Sequence, residues 1–285
     1  MMQILVVGST GKLGSKLVEV LSQGYNVVGI GSIELDIKNF NEVMTVIRRE
    51  KPDLVVNAAA WTDVDACALD PDKAVTINGF GAQNLAIAAH EVGAAILYIS
   101  SNEVFDGQSR QPYHEYDQSN PANAYGYSKY VGERGVIESN PRHYVVRTSW
   151  IFAHKGKNFV HAIIDAARLK KQLRVVTDEV ANPTYNDDLA AAIGLLVDTG
   201  RYGTYHLCNE GSVSRYQFAR YILDKAGYAE TPIEKISRHE WKRPSLPPAY
   251  SGLANTLGRH IGIRMRDWQD AVDEFLLREG LITTA

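Results

Sequence analysis

The start of the sequence, where a glycine turn joins a strand pattern to a helix pattern, constrains the fold most strongly. Residues 4–7 are a short apolar run, which is typical of a strand buried on both faces of a sheet. Glycines follow at positions 8, 11 and 14. Beyond them, apolar side chains recur at helical spacing, at Leu13, Leu17, Val18, Val20 and Leu21. A chain that begins strand, turn, helix favours an α/β architecture.

The same alternation continues through the first half of the chain. The pattern predicts further strands and helices, the strands at 26–30, 54–57 and 95–99 and the helices at 39–50 and from Asp70-Pro71 onward. Strands and helices of this length that alternate predict a Rossmann-type, doubly wound parallel sheet with helices on both faces. Ligands of such sheets bind beyond the carboxyl ends of the strands.

The glycine turn lies where such a sheet binds a dinucleotide. Glycines let the backbone approach a pyrophosphate, which rests on the N-terminus of the following helix. The spacing here is G-x-x-G-x-x-G rather than G-x-G-x-x-G, so a purely structural turn remains an alternative. The small residues Ala58, Ala59 and Ala60 after the third strand also allow the close approach of a ligand.

The end of the second strand bears on the choice of cofactor. An acidic residue usually follows that strand and holds the adenosine ribose, but Gly31-Ser32 stand here. Glu34 and Asp36 come slightly late, and no arginine is present. The pattern weakly favours NADPH, with NADH as an alternative. Asp36 and Ile37 are expected beside the adenine, although Asp36 could instead cap the helix at 39–50.

Tyr125 and Lys129 carry the predicted chemistry. Residues four apart in a helix share one face, and a nearby cation lowers the pKa of a tyrosine. A tyrosine adjusted in this way transfers protons near neutral pH. On its own the pair is more often two surface residues of a helix. It gains weight here because the serines that end the fourth strand, Ser100 and Ser101, precede it in a nucleotide-binding context.

Composition excludes several other classes of protein. The chain has 285 residues and a net charge of −3, which gives no case for nucleic acid or an anionic membrane as partner. Its apolar content of 45% is that of a globular protein. Cys67 and Cys208 show no metal-type spacing, and the N-terminus lacks signal-peptide features. No apolar run approaches the length of a membrane span. We expect a cytoplasmic protein.

Beyond Trp150 the alternation of strands and helices becomes less regular. We therefore predict a dinucleotide-binding domain over residues 1–150, to which segments from about 173–200 return. A smaller substrate domain is predicted over residues 151–285.

Several motifs, in this order, resemble the dTDP-4-dehydrorhamnose reductase family of extended short-chain dehydrogenase/reductases. They follow the glycine turn and are Val55-Val56-Asn57-Ala58-Ala59-Ala60-Trp61-Thr62, Val104-Phe105-Asp106-Gly107, Tyr125-Gly126-x-Ser128-Lys129, Arg147-Thr148-Ser149-Trp150, Asp178-x-x-x-Asn182-Pro183-Thr184 and Gly203-Thr204-Tyr205-His206. The resemblance covers most of the chain. It implies NADPH-dependent reduction of the 4-keto group of a dTDP-linked deoxy sugar, in the synthesis of cell-surface polysaccharide precursors.

The resemblance also implies roles for individual residues. Tyr125 would protonate the new alkoxide, Lys129 would lower the Tyr125 pKa and hold the nicotinamide ribose, and Ser101 would bind the keto oxygen. Cofactor contacts are implied at Gly8, Thr10, Gly11, Lys12, Leu13, Asp36, Ile37, Ala58, Ala59, Ala60, Thr62 and Asn78, besides Tyr125 and Lys129. Substrate contacts are expected at Asn102, Glu103, Trp150, Asn158 and Arg243.

Some of these residues have simpler explanations. Trp150 could be a core or interface residue, and Asn158 could cap the helix that runs to Leu169. Arg243 is suited to a diphosphate but could be a solvated charge. Asn78 could be structural.

The chain departs from the family pattern at three positions. Asn102 and Glu103 stand where the family has Asp and Tyr, so a changed sugar specificity is a live hypothesis. Nucleotide-sugar dehydratases carry Asp-Glu there, but an amide cannot supply a proton as a carboxylic acid does. Lys16 replaces a glutamate that in some members contributes to a metal-linked dimer, so we predict no metal through this position. A homodimer without it remains open.

Two alternatives to a reductase remain. One is an epimerase or dehydratase of the same superfamily, which retains a tightly bound NAD. The other is a non-catalytic regulatory subunit that resembles the beta subunit of methionine adenosyltransferase. The sequence leaves the exact sugar and the C4 stereochemistry open.

Overall fold

The computed structural model describes residues 1–154, 156, 158–169 and 172–282. The strands are β1 (Gln3–Val7), β2 (Asn26–Ile30), β3 (Leu54–Asn57), β4 (Ala95–Ser101), β5 (His143–Thr148), β6 (Ile151–Phe152), β7 (Leu173–Val176), β8 (Val180–Ala181), β9 (Thr184–Tyr185), β10 (Gly203–His206), β11 (Val213–Ser214) and β12 (Ile233–Ile236). The α-helices are α1 (Lys12–Leu21), α2 (Phe40–Glu50), α3 (Val64–Leu69), α4 (Pro71–Ala74), α5 (Gly81–Glu91), α6 (Ala124–Ser139), α7 (Phe159–Arg168), α8 (Asn186–Thr199), α9 (Arg215–Lys225), α10 (Thr256–His260) and α11 (Trp268–Arg278).

The centre of the molecule is a parallel sheet of six strands in the order β10-β5-β4-β3-β1-β2. The connections reverse direction between β1 and β3, which is where doubly wound sheets bind ligands. One face buries Leu17 of α1 and Ile193 of α8, and the other buries Val43 of α2 and Leu85 of α5. Because apolar helices cover both faces, the predicted doubly wound α/β class is confirmed.

The helix predicted from Asp70 onward is not continuous. Asp70 caps α4, and a π-helical turn over Val75–Phe80 then joins α4 to α5. A π turn inserts one extra residue into a helix and often marks a functional position. Here it brings Asn78, which is 1% exposed, against the loop that follows β3. A further helix, α3, precedes it and was not predicted.

The second half of the chain forms a smaller apolar core of its own, between α7, α9 and α11. Of the segments within about 173–200 from which a return to the central sheet is predicted, β7 does not return, since it pairs with β12 in a separate two-stranded sheet. It is α8 that packs back on α1, and β10 that extends the central sheet beside β5. The domain division near residue 150 remains a prediction. In the part of the chain that the structure describes, no helix is long and apolar enough to cross a membrane.

Candidate active site

The glycine turn brings two loops of the sheet into direct backbone contact. Gly8 has a φ of +83°, and a Cβ built there would lie 2.6 Å from the backbone nitrogen of Ala59. Any side chain would therefore push apart the loops that follow β1 and β3. No side chain caps the N-terminus of α1, so its free amide groups remain available to an anion.

A cleft of about 540 Å³ opens at this edge of the sheet. That volume lies within the range of small-molecule and cofactor sites. Its lining includes the predicted cofactor residues Gly8, Thr10, Gly11, Asp36, Ile37, Ala58, Ala59 and Ala60. Glycine and alanine leave room along its floor, and two lysines, Lys38 and Lys73, add positive charge at its walls. Small residues, free amides and cations suit the phosphates of a dinucleotide.

Six predicted cofactor residues do not line the cleft, namely Tyr125 and Lys129 of α6, described below, and four others. The Leu13 side chain packs in the core, Thr62 is exposed away from the cleft, and Lys12 does not line it. Asn78 uses its amide on the protein, since Oδ1 accepts from Trp61 N at 2.7 Å and Nδ2 donates to Trp61 O at 3.0 Å and Ser128 Oγ at 2.9 Å. Asn78 therefore joins the loop after β3 to α6, and its amide is engaged by the protein at both its oxygen and its nitrogen.

Sequence reasoning missed other residues of the cleft, namely Gly31, Ser32, Leu35, Lys38, Trp61, Lys73 and Ile77. Gly31 and Ser32 had a signal, because they directly follow β2. Lys73 had none, because only the fold of α4 brings its Nζ to 4.4 Å from the centre of the Trp61 ring.

The carboxylates of Asp36 and Glu34, which follow β2, make other contacts than the sequence predicts. Asp36 does not cap α2, because Asn39 does so with its side-chain oxygen, and Asp36 instead accepts from Lys38 N at 3.0 Å. Glu34, which comes late in the sequence, folds back so that its Oε2 accepts from Gly31 N at 2.8 Å. The end of β2 thus carries a carboxylate after all.

Tyr125 lies in the first turn of α6, where the helix meets the end of β4. Asn123 caps the helix through Gly126 N, and a Cβ at Gly126 would lie 1.9 Å from the Glu103 carbonyl oxygen. Glycine at this position lets α6 touch the turn that follows Ser101. Lys129 is one helical turn further and only 2% exposed, with Nζ 4.2 Å from the centre of the Tyr98 ring.

Burial moves the two pKa values in opposite directions. Burial raises the pKa of Tyr125 above its usual value, the Glu103 carboxylate raises it further, and a hydrogen bond with Ser101 opposes the rise. Burial lowers the pKa of Lys129 to about 7, against the attraction of Glu133. The pKa of Tyr125 is therefore raised in this arrangement, whereas the pairing with Lys129 predicts a lowering. A phenol that keeps its proton at neutral pH is suited to donate it.

A buried ion pair holds α6 against the sheet. Arg147 of β5 donates to both carboxylate oxygens of Glu133, at 2.8 and 2.7 Å, and Ser100 Oγ donates to the same carboxylate at 2.5 Å. Arg147 and Glu133 are 6% and 2% exposed. These groups fix the height of α6 over β4, and with it the position of Tyr125.

A second, smaller cavity of about 60 Å³ lies beyond Ser101. Four of the five predicted substrate residues line it, namely Asn102, Glu103, Trp150 and Arg243. Asn102 Nδ2 donates to Ser251 Oγ at 2.6 Å, and Arg243 Nε donates to Asp65 Oδ1 at 2.8 Å. The fifth, Asn158, instead caps α7 through His161 N and donates to Ala153 O, so its alternative explanation is the correct one.

The cavity also contains residues that sequence reasoning missed, among them Val64, Glu179, Arg215, Pro247, Pro248 and Ser251. Glu179 directly follows Asp178, the first residue of the motif that ends at Thr184, and this neighbourhood was a weak signal for a role in the site. Arg215 had no signal, because the pairing of β8 with β11 is what brings it to the cavity.

Comparison with known proteins gives concordant matches. Residues 2–280 match the family described as RmlD substrate binding domain. The chain is 38% identical to the spore coat polysaccharide biosynthesis protein SpsK of Bacillus subtilis, over 97% of each. A dTDP-4-dehydrorhamnose reductase of Clostridium acetobutylicum is similar with a TM-score of 0.94 and 37% identity, covering 98% of this chain and 100% of that one. The dTDP-4-dehydrorhamnose reductase of Bacillus anthracis, in complex with NADP, is similar with a TM-score of 0.92 and 34% identity, covering 97% of this chain and 99% of that one.

Proposed function

The chain belongs to the RmlD substrate binding domain family, that of the dTDP-4-dehydrorhamnose reductases, and from this premise we propose that it reduces the 4-keto group of a dTDP-linked deoxy sugar with NADPH. The substrate is dTDP-4-dehydrorhamnose or a close analogue, and the product is dTDP-L-rhamnose or its counterpart. The observation that carries the proposal is the place of Tyr125 in the first turn of α6, where the helix meets the end of β4 that carries Ser101, with Lys129 buried one turn further. The loops that follow β3 and β4 line the dinucleotide cleft and the small cavity beside them.

The residues of the cleft suit the cofactor. Gly8 and Gly11 leave space for a diphosphate at the N-terminus of α1, and Ala58 to Ala60 flank it. NADPH, when bound, supplies the hydride. NADH is an alternative donor, because Glu34 leaves a carboxylate near the adenosine end.

The chain's own part in the reaction is to hold a proton where negative charge develops. As the keto carbon is reduced, its oxygen becomes an alkoxide, which Tyr125 protonates and Ser101 stabilises by a hydrogen bond. The raised pKa of Tyr125 keeps the phenol protonated until that moment. Lys129, buried beside it, is placed to hold ribose hydroxyls of the cofactor.

We place the activity in the cytoplasm, where it would supply a polysaccharide precursor. A relative named for spore coat polysaccharide biosynthesis supports this role. We also propose that the protein forms a homodimer.

Replacing Tyr125 by Phe tests the proposed function. We expect kcat/KM with dTDP-4-dehydrorhamnose to fall at least ~100-fold, the scale of a lost general acid, while calorimetry gives an unchanged Kd for NADP. Tyr127→Phe, at an exposed position of the same helix, is the matched control and should retain full activity. Undiminished turnover in Tyr125→Phe would contradict the mechanism.

The same preparation separates the alternatives. A nucleotide-sugar epimerase or dehydratase would release stoichiometric NAD when denatured. A regulatory subunit would oxidise no NADPH with any dTDP-linked 4-keto sugar. Asn102 disfavours dehydration, because its amide donates to Ser251 and cannot act as a carboxylic acid.

A further inference from the structure

Three charged side chains from separate parts of the chain share the small cavity beyond Ser101. They are Glu103, in the turn after β4, Glu179, just before β8, and Arg215, the first residue of α9, and we call them the charged subsite. Glu179 is only 4% exposed. Burial raises the pKa of both carboxyls and lowers the pKa of Arg215 to about 10. Charges are held out of water only where the fold requires them.

The charged subsite is rigid. Arg215 N donates to Glu179 O at 3.1 Å, where β11 pairs with β8, and a capping box fixes the start of α9. Asn123 Nδ2 donates to Glu103 Oε2 at 2.6 Å. The Arg215 guanidinium lies 3.5 Å from the centre of the Trp150 ring. Trp150 has a φ of +39°, a strained conformation that is typical of functional sites.

The subsite nevertheless has unused hydrogen-bonding capacity. Among the described residues, the Arg215 guanidinium donates no hydrogen bond, and none reaches the Glu179 carboxylate. Their nearest approach is 3.8 Å, from Arg215 Nε to Glu179 Oε2, which is too long for a hydrogen bond. A ligand that offers both donors and acceptors would satisfy both groups.

Hydroxyl groups fit this requirement better than phosphate. A diphosphate would face two carboxylates, of which Glu179 is buried, and the other arginine of the cavity, Arg243, is already paired with Asp65. A hydroxyl donates to a carboxylate and accepts from a guanidinium at once. The cavity has room for one edge of a sugar ring rather than for a nucleotide. Glu103, which lines it, is in backbone contact with Gly126, the neighbour of Tyr125 in α6, so a sugar edge held there lies close to the proposed proton donor.

We propose that the charged subsite binds the hydroxyls at C2 and C3 of the sugar, so that the enzyme selects 4-keto sugars with both hydroxyls and disfavours deoxy analogues. Glu103 and Glu179 accept hydrogen bonds from the hydroxyls, and Arg215 donates a hydrogen bond to a hydroxyl oxygen. The inference rests on the proposed function and names the substrate class of that site. A hydrogen bond to a charged group is worth about 1.5–3 kcal/mol, so loss of one hydroxyl should lower kcat/KM by about 10–150-fold.

The first test compares two substrates on each enzyme. Wild-type protein is assayed with a dTDP-linked 4-keto-6-deoxy hexose and with its 2,3-dideoxy analogue, which lacks both hydroxyls. We expect Glu179→Gln and Arg215→Met to lose at least ~10-fold in kcat/KM on the hydroxylated sugar and less than ~2-fold on the analogue. Glu234→Gln, at an exposed position of β12, should change neither value. Equal losses on both substrates would overturn the inference.

The outcomes separate this inference from the proposed function. If the wild type reduces neither sugar, the proposed function fails. If it reduces both with equal kcat/KM, only the charged subsite fails.

A binding measurement excludes a merely structural role. Calorimetry with dTDP and with dTDP-L-rhamnose gives the part of the affinity that comes from the sugar. We expect Glu179→Gln and Arg215→Met to bind dTDP as the wild type does and to lose the additional affinity for the sugar nucleotide. A variant that loses affinity for dTDP as well contradicts the assigned role.

Discussion

At the scale of single residues, the proposed active site depends on what burial does to charge. Tyr125 and Lys129 lie one helical turn apart. Burial raises the pKa of the Tyr125 phenol, which therefore keeps its proton, and lowers the pKa of the Lys129 amine, which therefore loses its proton more easily. Both shifts favour the neutral form of the side chain, which is the expected effect of a low dielectric. In the reductive direction this assigns the acid to Tyr125 and makes the charge of Lys129 sensitive to pH near neutrality.

Replacing Lys129 by Met should stabilise the ligand-free protein more at pH 6 than at pH 9. The pKa of Lys129 is about 7 in the folded protein and 10.5 ordinarily, so between these values the unfolded state binds more protons and wild-type stability rises with pH. Below about pH 7 the folded protein carries the full cost of a buried ammonium. The gain should therefore be larger at pH 6 by about 2–3 kcal/mol in urea unfolding.

The exposed Lys242→Met is the control for that experiment and should show no difference between the two pH values. Equal gains from Lys129→Met at pH 6 and pH 9 would mean that Lys129 titrates normally.

Replacing Glu34 by Gln should favour NADPH over NADH. The Glu34 carboxylate lies against Gly31 N, at the strand end where adenosine riboses bind, and it repels a 2′-phosphate. Removing one partly solvated charge is worth about 1 kcal/mol, so the ratio of the two Kd values should shift about 5-fold toward NADPH in calorimetry. Glu91→Gln, exposed at the end of α5, should leave the ratio unchanged. A ratio of Kd values that shifts toward NADH in Glu34→Gln would contradict a position of Glu34 beside the adenosine ribose.

Sequence reasoning identified the residues that carry motifs and missed those that only the fold brings together. Tyr125, Lys129 and Ser101 follow from spacing and order along the chain. Glu179 and Arg215 do not, because their meeting depends on the pairing of two-residue strands, which leaves no periodic pattern. For Asn78 and Asn158 the family resemblance predicts ligand contacts, and the local sequence equally allows structural roles. The structure shows their amides bound to the protein itself.

At the scale of secondary-structure elements, the position of α6 over β4 and β5 decides where Tyr125 points. The buried pair of Arg147 and Glu133 links all three elements, because Ser100 of β4 also donates to Glu133. An ion pair of this kind contributes through geometry, since its desolvation offsets much of its attraction.

Removing one partner of the buried pair of Arg147 and Glu133 should destabilise the protein. We expect Arg147→Met to lower the free energy of unfolding by about 3–5 kcal/mol, because an uncompensated carboxylate stays buried. The double variant Arg147→Met with Glu133→Met should recover part of that loss. The exposed pair Arg134 and Glu138 on the same helix is the control, and Arg134→Met should cost less than about 0.5 kcal/mol. Additive losses in urea unfolding would show that the buried pair is not coupled.

The elements themselves could be predicted wherever the local pattern decides them. The bounds of β2 and β3 agree with the expected runs. β3 is buried throughout and continuously apolar, as expected of a central strand, whereas β2 lies at the edge of the sheet and is only partly buried. The sheet to which β7 belongs could not be predicted, since its partner β12 lies far along the chain and the run 173–176 would look the same in either sheet. The π turn at 75–80 is hidden because the apolar spacing around it remains helical.

At the scale of the whole molecule, charges join the first helix to the second half of the chain. Lys16 of α1 pairs with Asp187 of α8 at 3.1 Å, and Arg278 of α11 pairs with the same carboxylate at 2.9 Å. Among the residues that the structure describes, no three His, Cys, Asp or Glu side chains form a group that could hold a metal ion. The cation that the sequence carries at position 16 thus bridges α1 and α8.

These contacts lead to a prediction on metals and salt bridges. Treatment with EDTA should leave the Tm and the activity unchanged, because ammonium and guanidinium groups bind Asp187. Lys16→Ala should lower the free energy of unfolding by no more than about 1 kcal/mol, since the pair is partly solvated. A Tm that falls with EDTA would point to a metal bound by other residues.

The hydrogen bond from Asn102 to Ser251 joins positions 149 residues apart. During synthesis on the ribosome, the strands, glycine turn and Tyr125 are all made before the loop that contains Ser251 emerges. A nascent chain could therefore fold its cofactor cleft first and acquire the cavity for the sugar only near the end of translation. Binding of dinucleotide should then precede recognition of substrate in the life of each molecule, and chains released before residue 251 should have the first ability without the second.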